Sequence, residues 1–534
     1  MKRTRFFLLA LLVTTALNLY SQELDSAEAE PPAQNGLPEQ PSPRREEKIY
    51  VIVDFEFEIR GRTRPFAIIN NAELKRGEEI RGDANLQAYI SDKTQMLINQ
   101  RVLKNNAEIR YSVGEQQEDG MYPVILTIKT DDSWNIIALP QPSYSSNSGF
   151  ELTIKARDYN FLGTMNPLRV DLGYNYDENY RSSFNFEIDS STPFRVFDYN
   201  WTFKFVNLFS YRPNVEEPYY YRNVTGLSVE LPFDATTFTL GFEEALTLNE
   251  ENSDSDKLST GQGVYPDFQN GMYMRTNMYG SWKIPIGYSA DKYGEIAYTP
   301  SLSLYSYHEL PGWPLQENRR GPSLNFSHSI GFGRIDWQSN FREGLSASIN
   351  NSFSYNFHNY RINSEPLSIS FSFNGIGHFI VSKFFGISSR LQYRHWYAKD
   401  STYHDNAGDN LRGILDKTIW ADYMLSLNMD FPFRILKFIP STWFNNRKFR
   451  FFDFEVHASP IIDMAVYHNP TTDESAIPKN TAFSGGLEVI IFSDFIRRFY
   501  LRGSIGVNIK ELFRTKRIPD GDNREISITM GHYF

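Results

Sequence analysis

The chain has 534 residues, with 54 Lys and Arg against 64 Asp and Glu, a net charge of −10 and no cysteine. That acidic balance argues against nucleic acid as a partner. Without cysteine there is no disulfide, no thiol chemistry and no lipoprotein acylation site.

The N-terminus opens with Lys2, Arg3 and Arg5, followed by an apolar stretch from Phe6 to Leu19. This is the pattern of a secretory signal peptide over residues 1–22, and it is too short for a spanning helix. Residues 23–48 hold Pro31, Pro32, Pro38, Pro41 and Pro43 among Glu, Ser, Gln and Asn. Such a segment has too little apolar surface to offset its ordering entropy and is expected to be a disordered linker.

Residues 49–132 read as a small α+β domain. Ile49 to Ile59 predicts a strand, and Pro65 to Leu74 a short helix with proline in its first turn. Leu86 to Leu103 predicts a longer helix with Leu86, Ile90, Met96 and Leu97 on one side. Two strands follow, Ala107 to Val113 and Met121 to Thr130, giving a three-stranded sheet.

From Trp134 to Phe534 apolar and polar residues alternate, segment after segment. Phe184, Phe186 and Ile188 oppose Asn185, Glu187 and Asp189; Leu367, Ile369, Phe371 and Phe373 oppose Ser368, Ser370, Ser372 and Asn374. Strand side chains point to opposite faces with period two, so each segment has one apolar and one polar face. No run of eighteen apolar residues follows the signal segment, so a helical membrane protein is excluded. So much half-apolar sheet fits a transmembrane antiparallel β-barrel over residues 133–534, apolar outside and polar inside. Aromatics make up 15% of the chain, with 32 Tyr and 42 Phe, enough for interfacial girdles. Short turns such as Phe233-Asp234-Ala235 alternate with long polar loops such as Asn249 to Asn270. The tally is about eighteen strands.

The strand Trp134 to Tyr144 carries Pro140 and Pro142. Residues two apart direct their N–H groups to one edge, and proline has none. If that edge faces the last strand, which holds Ile526 and Ile528 and ends on Phe534, the barrel seam lacks donors there. A weak seam would serve as a lateral gate. Alternatively, the prolines belong only to the connector leaving the small domain.

There is no Gly-x-Ser-x-Gly elbow, no His-Glu-x-x-His helix and no P-loop. His457 and His468 flank Asp463 but make a poor metal site. No catalytic residue, metal or cofactor is expected.

An α+β domain of this element order before a barrel resembles a POTRA domain. The whole resembles the superfamily of outer-membrane assembly and secretion barrels that includes BamA, TamA and the two-partner-secretion transporters, with a barrel of the bacterial surface antigen type. Asn160-Phe161-Leu162-Gly163 looks like that superfamily's turn between early strands, and Ser191-Thr192-Pro193-Phe194 like the turn that follows. Leu411-Arg412-Gly413 is similar to its Val-Arg-Gly-aromatic loop motif, with Ile414 in the aromatic position. The C-terminal Ile526 to Phe534 is similar to its assembly signal, with His532 as a departure. The resemblance implies about sixteen strands and a loop folded into the lumen, its Arg412 contacting inner-wall acids at Asp430 and Asp463. Parity supports this. Leu425, Leu427, Met429 and Phe431 share the outer face, so Asp430 points inward; Pro460, Ile462, Met464 and Val466 do likewise, so Asp463 points inward.

The resemblance further implies a bacterial outer-membrane location with the POTRA-like domain in the periplasm. The function implied is insertion or translocation of other outer-membrane or secreted proteins, with a client strand added at the domain's sheet edge and at the barrel seam. Partners would be the lipid bilayer, unfolded clients and periplasmic chaperones or lipoproteins. The alternative is a passive channel or surface adhesin with a plugged barrel.

Overall fold

A computed structural model describes residues 47–530, apart from 146–148, 177–181, 214–217, 252–267, 291–293, 316–318, 363–364, 398–404, 407–409, 416–417, 470–473, 476–479 and 498–499. The signal segment, nearly all of the Pro-rich linker and Phe534 therefore lie outside the described residues.

The α+β part comprises β1 (Ile49–Arg60), α1 (Pro65–Asn71), β2 (Glu79–Arg81), α2 (Asp83–Asn99), β3 (Glu108–Val113) and β4 (Tyr122–Asp131). Its sheet runs β2-β1-β4-β3, with β1 parallel to β4 and the other pairs antiparallel. The expected three-stranded sheet thus gains a fourth short strand, β2. In β1 the apolar parity switches from Tyr50 and Ile52 to Phe55 and Phe57, and a register shift between Ile52 and Asp54 makes the switch possible. Helix α2 buries Leu86, Ile90, Lys93 and Leu97, with Met96 only half-buried. Position 93 continues the stripe at helical spacing, whereas 96 falls beside it. Ile52, Ile68, Val124, Leu126 and Ile128 form the fully buried centre of the core.

The barrel begins with β5 (Ile136–Ser145), β6 (Gly149–Asp158), β7 (Leu168–Tyr176), β8 (Ser182–Val196) and β9 (Tyr199–Tyr211). It continues through β10 (Tyr219–Phe233), β11 (Thr236–Glu251), β12 (Phe268–Ala290), β13 (Gly294–Glu309) and β14 (Ser323–Gln338). Then come β15 (Phe341–Asn356), β16 (Leu367–Ser382) and β17 (Phe385–Tyr397), and a two-residue pair, β18 (Asp405–Asn406) with β19 (Trp420–Ala421). The wall resumes with β20 (Tyr423–Asp430), β21 (Phe433–Phe438), β22 (Phe454–Asn469), β23 (Glu474–Ser475), β24 (Thr481–Ser493), β25 (Tyr500–Asn508) and β26 (Arg524–Met530). The sheet closes, and with β20 and β21 counted as one strand and the two-residue β23 counted with the β22–β24 hairpin it has eighteen strands rather than the sixteen implied by resemblance. The expected strand from Met424 to Phe433 is split into β20 and β21 at Pro432, which has no N–H to give to the ladder.

The outer face is apolar. Ile154, Leu172, Phe184, Leu240, Met278, Leu302, Ile349 and Leu487 are exposed around it. The inner face is polar, with Thr153, Ser210, Thr247, Asn277, Ser388 and Ser426 buried. At the end carrying the α+β part, several turns are only two residues long. Asp234 at one of them takes a left-handed φ of 49°, as tight hairpin turns require.

The β6–β7 turn joins the two parts. Asn160 is fully buried; its side-chain amide donates to Thr63 Oγ1 at 2.8 Å and to Asp132 Oδ2 at 3.1 Å, and its Oδ1 accepts from Met165 N at 2.9 Å. Met165 enters the α+β core. Gly163 has a φ of +76°, its carbonyl accepts from Arg64 N at 2.9 Å, and a Cβ there would lie 2.1 Å from the Arg62 carbonyl oxygen. Leu162, by contrast, is exposed.

Two further anchors lie elsewhere around the ring. Asn99 Nδ2 donates to Asp336 Oδ1 at 2.7 Å, Arg334 pairs with Asp92, and the Arg101 guanidinium sits 4.2 Å from the Trp337 ring centre. Arg497 donates to the Leu103 carbonyl at 2.8 Å. Gly163→Ala combines a left-handed backbone with overlap on Arg62, so it is expected to weaken the joint by about 1–3 kcal/mol. Hydrogen exchange at the Arg64 amide should accelerate; unchanged exchange would show that the joint does not depend on this glycine.

Candidate functional site

The loop between β17 and β20 folds into the lumen. Leu411, Arg412 and Ile414 are 1%, 4% and 2% exposed. Alternation along β20 turns Met424, Ser426, Asn428 and Asp430 inward, and along β22 it turns Glu455, His457, Ser459, Asp463 and Ala465 inward. Asp430 and Asp463 lie on the buried faces of their strands.

Arg412 meets both carboxylates. Its Nε donates to Asp463 Oδ2 at 3.0 Å and its Nη2 to Asp463 Oδ1 at 2.7 Å, a two-point fork. The Arg412 backbone N–H adds a third bond to Asp463 Oδ2 at 2.8 Å. Nη1 lies 2.6 Å from Asp430 Oδ1 and 3.6 Å from Glu488 Oε2. Arg502 Nη1 approaches Glu488 Oε2 at 3.3 Å. The guanidinium therefore sits among carboxylates from three strands, β20, β22 and β24, all turned inward. A buried charge is tolerated only under such pairing.

Backbone contacts complete the seat. Asn428 Nδ2 donates to the Asn410 carbonyl at 2.7 Å. Gly413 N donates to Glu525 Oε2 at 3.1 Å, and Leu415 N to the Asp522 carbonyl at 3.0 Å. Gly413 has a φ of +98° and packs on the wall at Gly506, where a Cβ would lie 2.7 Å from the Arg412 carbonyl carbon. Leu411 and Ile414 pack with Met424 and the small inward residues Ala465 and Ala482. The loop thus spans from the Asp463 wall to β25 and β26, beside the barrel seam.

Sequence reasoning missed Glu488, Gly506 and Glu525. Parity would have found Glu488, which falls with Ala482, Ser484, Ile490 and Phe492 on the buried face of β24. Gly506 carried no comparable signal, since only the folded loop shows what it must clear.

The seam is short. Among the described residues, β26 meets β5 only at Ser527–Ser145 and Ile528–Tyr144, while Ile526 pairs with Ile505 of β25. Pairing stops before Pro142; the register, continued, would set Pro142 opposite Met530. Pro140 and Pro142 face Ile154 and Leu152 on β6. Phe534 lies outside the described residues. Elsewhere, His457 Nε2 is 2.7 Å from Glu455 Oε1 and His468 Nδ1 is 2.6 Å from Asp422 Oδ1, so the two histidines serve separate partners.

Arg412→Ala would strand Asp463 and Asp430 in the lumen, at a cost of about 3–5 kcal/mol. Faster amide exchange over Leu411–Leu415 and faster proteolytic cleavage within 400–410 are expected. Wild-type protection in both assays would exclude an arginine-pinned loop.

No protein-family model and no curated protein matches the chain. Among solved structures it is similar to CdiB from Acinetobacter baumannii, with 12% identity over 90% of this chain and 74% of that one and a TM-score of 0.47. It is also similar to CdiB from Escherichia coli, with 10% identity over 97% of both chains and a TM-score of 0.39. A third similar structure is BamA from Haemophilus ducreyi lacking POTRA domains 1–3, with 12% identity over 90% of this chain and 84% of that one and a TM-score of 0.35.

Proposed function

We propose that this chain is an outer-membrane barrel that helps other proteins insert into or cross that membrane, with residues 49–132 acting as a POTRA-like domain on the periplasmic side. The observation that carries this reading is the Arg412 loop, held inside the lumen by Asp463 and Asp430. A plugged channel would also hold a loop inside its lumen; what favours the assembly reading is that this loop reaches β25 and β26 beside the seam. An apolar outer face over a polar lumen fits a bilayer-spanning barrel.

The mechanism has two parts. Strand β3 is an edge of the α+β sheet, and an incoming extended segment adds there by main-chain hydrogen bonding. The seam then opens laterally. Its described pairing is two residues long, so few ladder bonds are lost when β5 and β26 part. The Arg412 loop touches Gly506 and Glu525 next to that seam and steadies it from within. Folding of the client supplies the free energy, so no nucleotide or cofactor enters. Partners are the bilayer and unfolded client proteins, together with periplasmic chaperones or lipoproteins.

The defining test is depletion. Loss of this protein should lower the levels of other outer-membrane or secreted proteins, and a chain lacking 49–132 should restore the barrel but not those levels. Full rescue by the shortened chain would favour a passive channel or adhesin. Lateral opening has its own test, made simple by the absence of native cysteine. Ser143→Cys with Thr529→Cys, placed opposite one another by the seam register, should crosslink and block client assembly. Full activity after complete crosslinking would rule lateral opening out.

A further inference from the structure

One connector at the α+β end breaks the pattern of short turns. Between β21 and β22 the chain runs Ile439 to Asp453, with a helical turn at Pro440–Trp443 and a tight helical segment at Arg447–Phe452. Its composition is aromatic and cationic: Trp443, Phe444, Phe449, Phe451 and Phe452 with Arg447, Lys448 and Arg450. Trp443, Phe444, Phe451 and Phe452 are 60%, 65%, 59% and 56% exposed, values that disfavour contact with water alone. The aromatic surface continues inward, because Phe451 meets Phe495 at 5.8 Å and Phe495 stacks on Trp134 at 5.9 Å.

Beside this shelf lies a cavity of about 540 Å³ between the connector and the α+β part. Six cations line it: Arg101, Lys104, Lys437, Arg447, Arg450 and Arg497. Three carboxylates, Asp132, Asp453 and Asp494, line it as well, which leaves the cations in excess. Asp132 is occupied by Thr63 and the Arg62 N–H, and Asp453 by the Ser441 N–H and hydroxyl. Burial pushes the Asp494 carboxyl above its ordinary range. Lys104 pairs with Asp131 at 3.5 Å and Lys437 with Glu455 at 3.8 Å, but the side chains of Arg447 and Arg450 have no such partner among the described residues. The outer face just above carries Phe433, Ile435 and Leu436, all exposed.

We propose that this basic cavity binds the headgroup phosphate of an anionic phospholipid, whose acyl chains lie against the Trp443–Phe452 shelf. An amphiphile is the one occupant that answers both surfaces: phosphate for the arginines, hydrocarbon for the exposed aromatics. A free phosphate leaves the aromatics unmatched, and an acidic peptide does not account for their continuity with the outer face. The site rests on the membrane-spanning reading above, and it makes the connector a lipid-anchored brace between bilayer and α+β part.

The test uses the full chain purified in detergent and measures retained lipid by native mass spectrometry, with phosphatidylglycerol, phosphatidylcholine and glycerol phosphate as probes. Phosphatidylglycerol should be retained in preference to phosphatidylcholine. The paired substitutions Arg447→Gln and Arg450→Gln should weaken its retention about 30-fold, one order of magnitude or more for two cations at a lipid surface. A second variant, Trp443→Ser with Phe451→Ser, should lose lipid while keeping both arginines. Equal retention of the two lipids, displacement by glycerol phosphate at equal concentration, or unchanged retention in the arginine variant would each overturn the proposal. Co-flotation with phosphatidylcholine vesicles separates the two readings. A chain that floats without selectivity loses only the lipid site, whereas one that fails to float loses the membrane reading and the site with it.

Discussion

A guanidinium buried inside a barrel imposes conditions on everything around it. Arg412 is 4% exposed, and a cation so enclosed is stable only if carboxylates and hydrogen-bond acceptors surround it. Asp463 answers with two side-chain bonds and one to the backbone, Asp430 adds a second carboxylate, and Glu488 is shared with Arg502. The same constraint explains residues that carry no charge. Gly506 leaves room for the loop backbone, and Ala465 and Ala482 leave room for Leu411 and Ile414. A larger residue at any of these positions would push the loop out and leave the acids unpaired.

The α+β part is tied to the barrel by a second polar seat of similar logic. Asn160, fully buried, uses its amide to join Thr63, Asp132 and Met165. Because Met165 also fills the α+β core, the two parts share packing as well as hydrogen bonds. Anchors at Trp337 on β14 and at Arg497 in the β24–β25 connector hold the α+β part at more than one point around the ring. Motion of either part is therefore felt by the other, and the short seam between β5 and β26 is the weakest line in the wall described.

Much of this was legible beforehand, and for definite reasons. Period-two alternation is a strict consequence of strand geometry, so the inward parity of Asp430 and Asp463 could be read without coordinates. The turn at Asn160 was recognisable, but its burial against Thr63 and Asp132 was not, since those partners lie far away in sequence. Glu488 was within reach of the same parity argument and was overlooked. Strand number was harder: the residue tally gave eighteen, family resemblance favoured sixteen, and the closed sheet has eighteen. Local pattern counted better than analogy, because a barrel can add a hairpin without disturbing its neighbours.

The amino-acid sequence alone determined the fold class and the facing of side chains along regular strands, because both follow from alternation along a single strand. The pairing of Arg412 with its two acids came from family resemblance, and parity was consistent with it. Only the tertiary structure decided where the loop lies, which glycine clears its path, how the β6–β7 turn enters the α+β core, and how briefly the first and last strands meet. These depend on contacts between residues from about one hundred to nearly four hundred positions apart, and no local periodicity encodes such distances.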